Sequence, residues 1–181
     1  MGISHLLRTV SAALGAVVLT AAALMGASAP AHAAGAAAAI CQLETLTTHD
    51  RPITQTLQMN NWTENAIEVR CAGVAIPRDN IVLSGLRIPG YEQAACNGPV
   101  IGNTGTATVT WSDGTTSTGE RSQVTAFTSN GNMTGTFTIL ITSGAHYVGR
   151  TISQTVTGYG GSCGDTVFPA LATLVFAEVE L

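Results

Sequence analysis

Two histidines, His49 and His146, are the side chains best suited to proton transfer beyond residue 33. His49 precedes Asp50, Arg51 and Pro52, and an imidazole oriented by a carboxylate can serve as a general base. Adjacent strand residues point to opposite faces, however, and Pro52 favours a turn or the start of a strand, so this cluster is expected in a solvated loop. His146 stands beside Tyr147 next to a predicted turn and is expected to be exposed. A secreted hydrolase would have to use His49 or His146, and no nucleophile elbow is read from the serines. Paired carboxylates about 5–9 Å apart would cleave glycosides. Glu44, Asp50, Glu64 and Glu68 are close in sequence, but Glu64 and Glu68 flank a predicted hairpin and read as solvent-side charges. Asp79-Asn80 and Asp165 are too sparse for a calcium loop. No catalytic, cofactor or metal residue is assigned. Trp111 and Trp62 remain as possible ligand or rim contacts, with Trp111 expected chiefly to pack.

The elements that would carry these side chains read as strands. Beyond Ile40 the dominant period is two. Ile53, Leu57 and Met59 alternate with polar neighbours, as do Ile67, Val69 and Cys71. Ala107, Val109 and Trp111 follow the same pattern, and so do Phe137, Ile139 and Ile141. Ser112-Asp113-Gly114 and Ser129-Asn130-Gly131-Asn132 supply tight hairpin turns, because Asp-Gly and Asn-Gly accept positive φ. Ser143-Gly144 begins a third, so residues from Thr104 to about Thr157 form a meander. The stretch from Cys71 to Gly102 is less regular, with Ile81–Ile88 its one predicted strand. Residues 171–181 are apolar on both faces as far as Glu178 and fit a central strand or the seam of a closed sheet. No helix is expected beyond residue 33. The fold class is all-β, an antiparallel meander of eight or nine strands closing as a barrel, with a β-sandwich as the alternative.

Compartment and charge narrow the function. Arg8, an apolar stretch from about Val10 to Met25, and Ala31-His32-Ala33 have the order of a secretory signal peptide, residues 1–33. Residues 34–181 then form a single disulfide-bonded β-domain, secreted and extracellular, with nothing to hold it at a membrane. Cys41, Cys71, Cys96 and Cys163 are spread singly, which disfavours zinc and C-x-x-C redox chemistry. Of three possible pairings the nested one, Cys71–Cys96 inside Cys41–Cys163, is favoured because it would fasten both ends of the domain. Lysine is absent, and six arginines face eleven carboxylates beyond residue 33, a formal balance of −5. Such a surface repels nucleic acid and anionic lipid. Asn61-Trp62-Thr63 and Asn132-Met133-Thr134 are glycosylation sequons that mark exposed turns.

The run Gly105-Thr106-Ala107-Thr108-Val109-Thr110-Trp111-Ser112-Asp113-Gly114-Thr115-Thr116-Ser117-Thr118 resembles a hairpin of uncharacterised small secreted actinobacterial proteins with four cysteines. The resemblance implies an extracellular β-domain and supplies no site residues. Residues 130–137 are similar to a hairpin of secreted biotin-binding barrels, but those use several tryptophans, and here only Trp62 and Trp111 are present. The expected role is therefore non-enzymatic, a binding or cell-surface function toward a small apolar ligand or a cell-envelope component. The binding form predicts an interior cavity with small residues such as Ala107, Gly135 and Ala172 facing inward. A secreted hydrolase and a protease-inhibitor-like protein presenting a disulfide-pinned loop are the rival classes.

Overall fold

A computed structural model describes residues 37–76 and 79–177, and the signal peptide read over residues 1–33 lies outside the described residues. Among the described residues nine strands alternate with short turns: β1 (Ala37–His49), β2 (Gln58–Gly73), β3 (Leu83–Ala94), β4 (Gly98–Pro99), β5 (Ile101–Trp111), β6 (Thr116–Ser129), β7 (Asn132–Gly144), β8 (Thr151–Gly158) and β9 (Val167–Ala177). All pairings are antiparallel. Eight strands close a ring in chain order, β1-β2-β3-β5-β6-β7-β8-β9, and β9 returns to pair with β1. The two-residue β4 lies outside the ring, against the end of β6. The protein is thus an up-and-down β-barrel, which leaves the ring no unpaired edge.

Closure explains the double-faced apolar pattern of β9. It pairs with β1 on one side and β8 on the other, with Phe168, Ala170, Ala172, Leu174 and Phe176 turned inward. The expected meander is present as the β5–β6, β6–β7 and β7–β8 hairpins. At the β6–β7 turn Asn130 and Gly131 both have positive φ, 50° and 84°, the mirror-image geometry that matches strand twist.

Several details depart from the sequence reading. The inward face of β2 is Asn60, Trp62 and Glu64, while Leu57 and Met59 are exposed. An irregularity opposite Glu44/Thr45 adds a residue to β2 and shifts its parity, so Ile67 is exposed while Val69 and Cys71 pack on the core. The predicted strand over Ile81–Ile88 runs on to Ala94, through Pro89 and Gly90. Gly90 belongs there because a Cβ would stand 2.5 Å from the Trp62 ring and 2.2 Å from the Thr104 carbonyl oxygen.

The nested disulfide pairing is corrected. The bonds are Cys41–Cys71 and Cys96–Cys163. Cys41 and Cys71 are direct cross-strand partners in β1 and β2, with Cα atoms 4.0 Å apart, so neighbouring strands already bring them together. Cys96, just after β3, meets Cys163 in the β8–β9 loop because strand direction puts both at the same end of the barrel.

The barrel interior is divided along its axis. The end holding the C-terminus of β5 is sealed by aromatic packing: Trp111, Tyr147 and Phe176 have ring centroids 5.4–6.3 Å apart. Ile139, Ile141, Ile152 and Leu174 are fully buried around the axis. Toward the opposite end, apolar residues give way to Glu64, Arg121, Gln154, Asn103 and Glu92, all buried.

Candidate functional site

The polar interior is assembled from single inward positions on separate strands. Gln154 lies between Ile152 and Val156 on the inner face of β8, Arg121 on that of β6, and Glu64 two residues beyond Trp62 on β2. Arg121 is the hub. Its Nε donates to Gln154 Oε1 at 2.9 Å and one terminal nitrogen donates to Asn103 Oδ1 at 2.7 Å. The other terminal nitrogen lies 3.7 Å from Glu64 Oε2, an ion pair without a hydrogen bond. Gln154 Nε2 donates to Glu64 Oε1 at 3.0 Å, closing a ring of three side chains. The guanidinium stacks on Phe137, 3.6 Å from the ring centroid, and lies 4.8 Å from the centroid of Trp62.

The chain of contacts continues to the open end. Asn103 Nδ2 donates to Glu92 Oε2, and Glu92 Oε1 lies 3.1 Å from His49 Nε2. His49 also stands edge-on to Phe168, with centroids 5.4 Å apart. Burial pushes the Glu64 carboxyl above the ordinary carboxylate range, outweighing the opposing pull of Arg121 and the Gln154 hydrogen bond. The same burial lowers the Arg121 value, against the pull of Glu64 and Glu92.

Above this network a small pocket opens at the barrel end; about 20 Å³ of it is free to the centre of a water-sized molecule, and the rest of its about 450 Å³ of empty space includes open solvent. Ile53, Met133, Val156, Phe168 and Ala170 give it apolar walls; His49, Trp62, Glu64, Glu92 and Asn103 supply its polar floor and side. Two nitrogens of this lining are buried without a hydrogen-bond partner among the described residues: Trp62 Nε1 and His49 Nδ1. The lining contains Thr47 and Thr128 but no serine or cysteine. Among the described residues no three His, Cys, Asp or Glu side chains group at metal-binding spacing.

Several sequence expectations are changed here. His49 is not in a solvated loop: it ends β1, and its side chain is 7 % exposed. Asp50 points away and accepts from the Asn61 backbone and side chain at 3.0 and 2.8 Å, which lowers its carboxyl. Glu64 is buried rather than solvent-facing. Trp62 lies within the barrel on the pocket, whereas Trp111 is buried toward the sealed end and donates its Nε1–H to Ser117 Oγ at 2.9 Å.

At the sealed end His146 Nε2 meets Asp113 Oδ2 at 2.8 Å, bridging two turns. Ser117 is near but does not complete a relay. Its hydroxyl donates to the His146 carbonyl and accepts from the His146 N–H and the Trp111 indole, in a site only 1 % exposed. One spacing escapes the sequence reading: Gly160-Gly161-Ser162-Cys163-Gly164 has the G-x-S-x-G form. It is a loop between strands, Ser162 is exposed with its N–H donating to Asp165, and Cys163 is disulfide-bonded, so it is no strand-to-helix elbow. No family model, curated protein or solved structure matches this chain.

Arg121, Glu92, Asn103 and Gln154 were not singled out from the sequence. For Gln154 a signal existed: Ile152-Gln154-Val156 places one amide on an otherwise apolar face. The others share faces with glycine or threonine and carry no such contrast.

Proposed function

We propose that this is a secreted β-barrel that acts by binding rather than by catalysis, holding a small, largely apolar ligand in the open end between His49, Trp62 and Phe168. The observation that carries the reading is that two residues lining this part-apolar, part-polar pocket, Trp62 and His49, each keep a buried ring nitrogen, Nε1 and Nδ1, without a hydrogen-bond partner among the described residues. A buried donor without a partner costs about 1–3 kcal/mol, and a ligand that satisfies it recovers part of that. Concave apolar pockets with a few convergent polar groups are the usual form of small-molecule sites. The two disulfides suit an oxidising, extracellular setting. Against the hydrolase reading, His49 and His146 both bond carboxylates, yet neither ring bonds a hydroxyl or thiol among the described residues.

Native mass spectrometry of the protein secreted from its own host tests this. A reproducible added mass of small-molecule size is expected, and it should vanish in Ala170→Phe, which fills the pocket. A bare mass, together with unchanged Trp62 fluorescence across a panel of small molecules, would count decisively against a ligand-binding role.

A further inference from the structure

We propose that the segment between β1 and β2, residues 50–57, is a strap that gates the pocket end of the barrel: closed here with Ile53 as its plug, it opens as a unit while the ring stays paired. The segment forms neither strand nor helix. Ile53 is 1 % exposed, whereas every other residue from 51 to 57 is exposed. One side chain therefore anchors the strap, and it lines the pocket together with His49, Trp62 and Phe168. With Ile53 seated, the pocket has closed room for about one water molecule, and Trp62 Nε1 is buried away from solvent. Anything larger reaches the interior with the strap displaced.

The strap lies on a frame of three joined loops. Cys96 and Cys163 are covalently linked, and the Cys96 carbonyl accepts from the Gly131 N–H at 2.8 Å. Three backbone hydrogen bonds fasten the strap to that frame. The Ile53 N–H donates to the Asp165 carbonyl at 3.1 Å, the Gly164 N–H to the Ile53 carbonyl at 2.7 Å, and the Cys96 N–H to the Thr54 carbonyl at 2.7 Å. The base has bonds of its own. Gln58 Nε2 donates to the Pro52 carbonyl at 2.6 Å, and Asp50 accepts from the Asn61 backbone and side chain. Residues 53–57 can therefore leave the frame without unpairing β1 from β2. Opening uncovers one apolar side chain and releases backbone groups that water can satisfy at the barrel end, whereas unfolding must unzip an eight-stranded ring. Segments with so few buried apolar contacts open far more readily than the core they cover.

Native-state hydrogen exchange, read by NMR on the intact, oxidised protein, tests the gate. It uses no ligand, so its failure is distinct from that of the binding reading, which native mass spectrometry decides. After correction for intrinsic rates, the N–H groups of Ile53, Cys96 and Gly164 are expected to share one opening constant, at least about a hundredfold larger than that of the barrel-strand amides. The Trp62 indole N–H should exchange in step with them. The Trp111 indole N–H, bonded to Ser117 at the sealed end, should follow the barrel. Two variants separate strap from ring. Ile53→Ala should speed the strap amides and the Trp62 indole at least about tenfold. Ile141→Val weakens the core where Ile141 bonds the loop after β7; it should speed the barrel amides about fivefold and leave the strap amides and the Trp62 indole unchanged. Strap amides that follow the barrel in Ile141→Val, or that Ile53→Ala leaves unmoved, would show that no separate strap exists. A Trp62 indole that exchanges out of step with the strap amides, in either direction, would show that the strap is not the gate.

Discussion

At the residue scale, the two histidines show how similar pairs acquire different work. His49 pairs with a buried glutamate beside a pocket, whereas His146 pairs with an exposed turn aspartate and clamps the β5–β6 turn to the loop after β7. The Asp113 carboxyl is pulled from an ordinary 3.8 to about 2, first by the His146 hydrogen bond and then by the Thr115 backbone and hydroxyl. A carboxyl held lower in the folded state than in the unfolded chain contributes stability that is complete above the unfolded value and disappears as pH falls through the folded one. Stability should therefore drop between about pH 4 and pH 2, and His146→Ala should flatten that part of the profile. Urea midpoints of the two proteins across this window check it; parallel acid profiles would remove the pair as the source. The raised Glu64 carboxyl has the opposite sign, its ionisation costing stability as pH rises through its folded value.

Strands and loops impose the next level of order. A tryptophan on β2 lies over a glycine of β3, and a two-residue Asn-Gly turn brings Asn132 to the loop after β8. There its side chain accepts from the Gly161 N–H at 2.9 Å and donates to the Gly161 carbonyl at 2.8 Å. The second sequon is thus engaged in a loop clamp. The disulfides divide similarly. Cys41–Cys71 staples two neighbouring strands, while Cys96–Cys163 ties the loop after β3 to the β8–β9 loop at the pocket end. With sequence separations of 30 and 67, chain-entropy reasoning assigns about 3.5 and about 4.5 kcal/mol, upper figures in that model. Replacing Cys96 and Cys163 by serine is expected to lower stability and also to abolish the ligand response of Trp62. The Cys41/Cys71 double serine variant should lose stability while keeping that response. Denaturant midpoints measured beside Trp62 titrations distinguish the two outcomes.

Across the whole molecule, closure turns isolated inward side chains into one network. Arg121 reaches across the barrel to Glu64 on β2, Asn103 on β5 and Gln154 on β8, and none of these lies near it in sequence. Removing one partner of a buried ion pair leaves an uncompensated charge, at a cost of about 3–5 kcal/mol, whereas replacing both by apolar residues can be nearly neutral. Arg121→Met is expected to lose stability on that scale, and Arg121→Met with Glu64→Leu to recover much of it. Urea unfolding of the two variants measures the difference; a single variant as stable as the wild type would show that the guanidinium is dispensable.

Local grammar is legible in the residues alone: period-two strands, the Asp-Gly and Asn-Gly turns, the meander from Thr104 to about Thr157, and a last strand needing neighbours on both sides. These follow from side-chain alternation and backbone sterics within a few residues. The choice of the expected barrel over the sandwich, the disulfide partners and the pocket were decided only in three dimensions. The parity shift in β2 depends on pairing with β1, and Cys96 meets Cys163 only because strand direction returns both loops to one end. His49 and Glu64 looked solvated because a lone polar residue in a threonine-rich strand carries no mark of which face the barrel will enclose. That choice belongs to tertiary structure, since burial of a charge is tolerated only where partners from distant strands arrive to meet it.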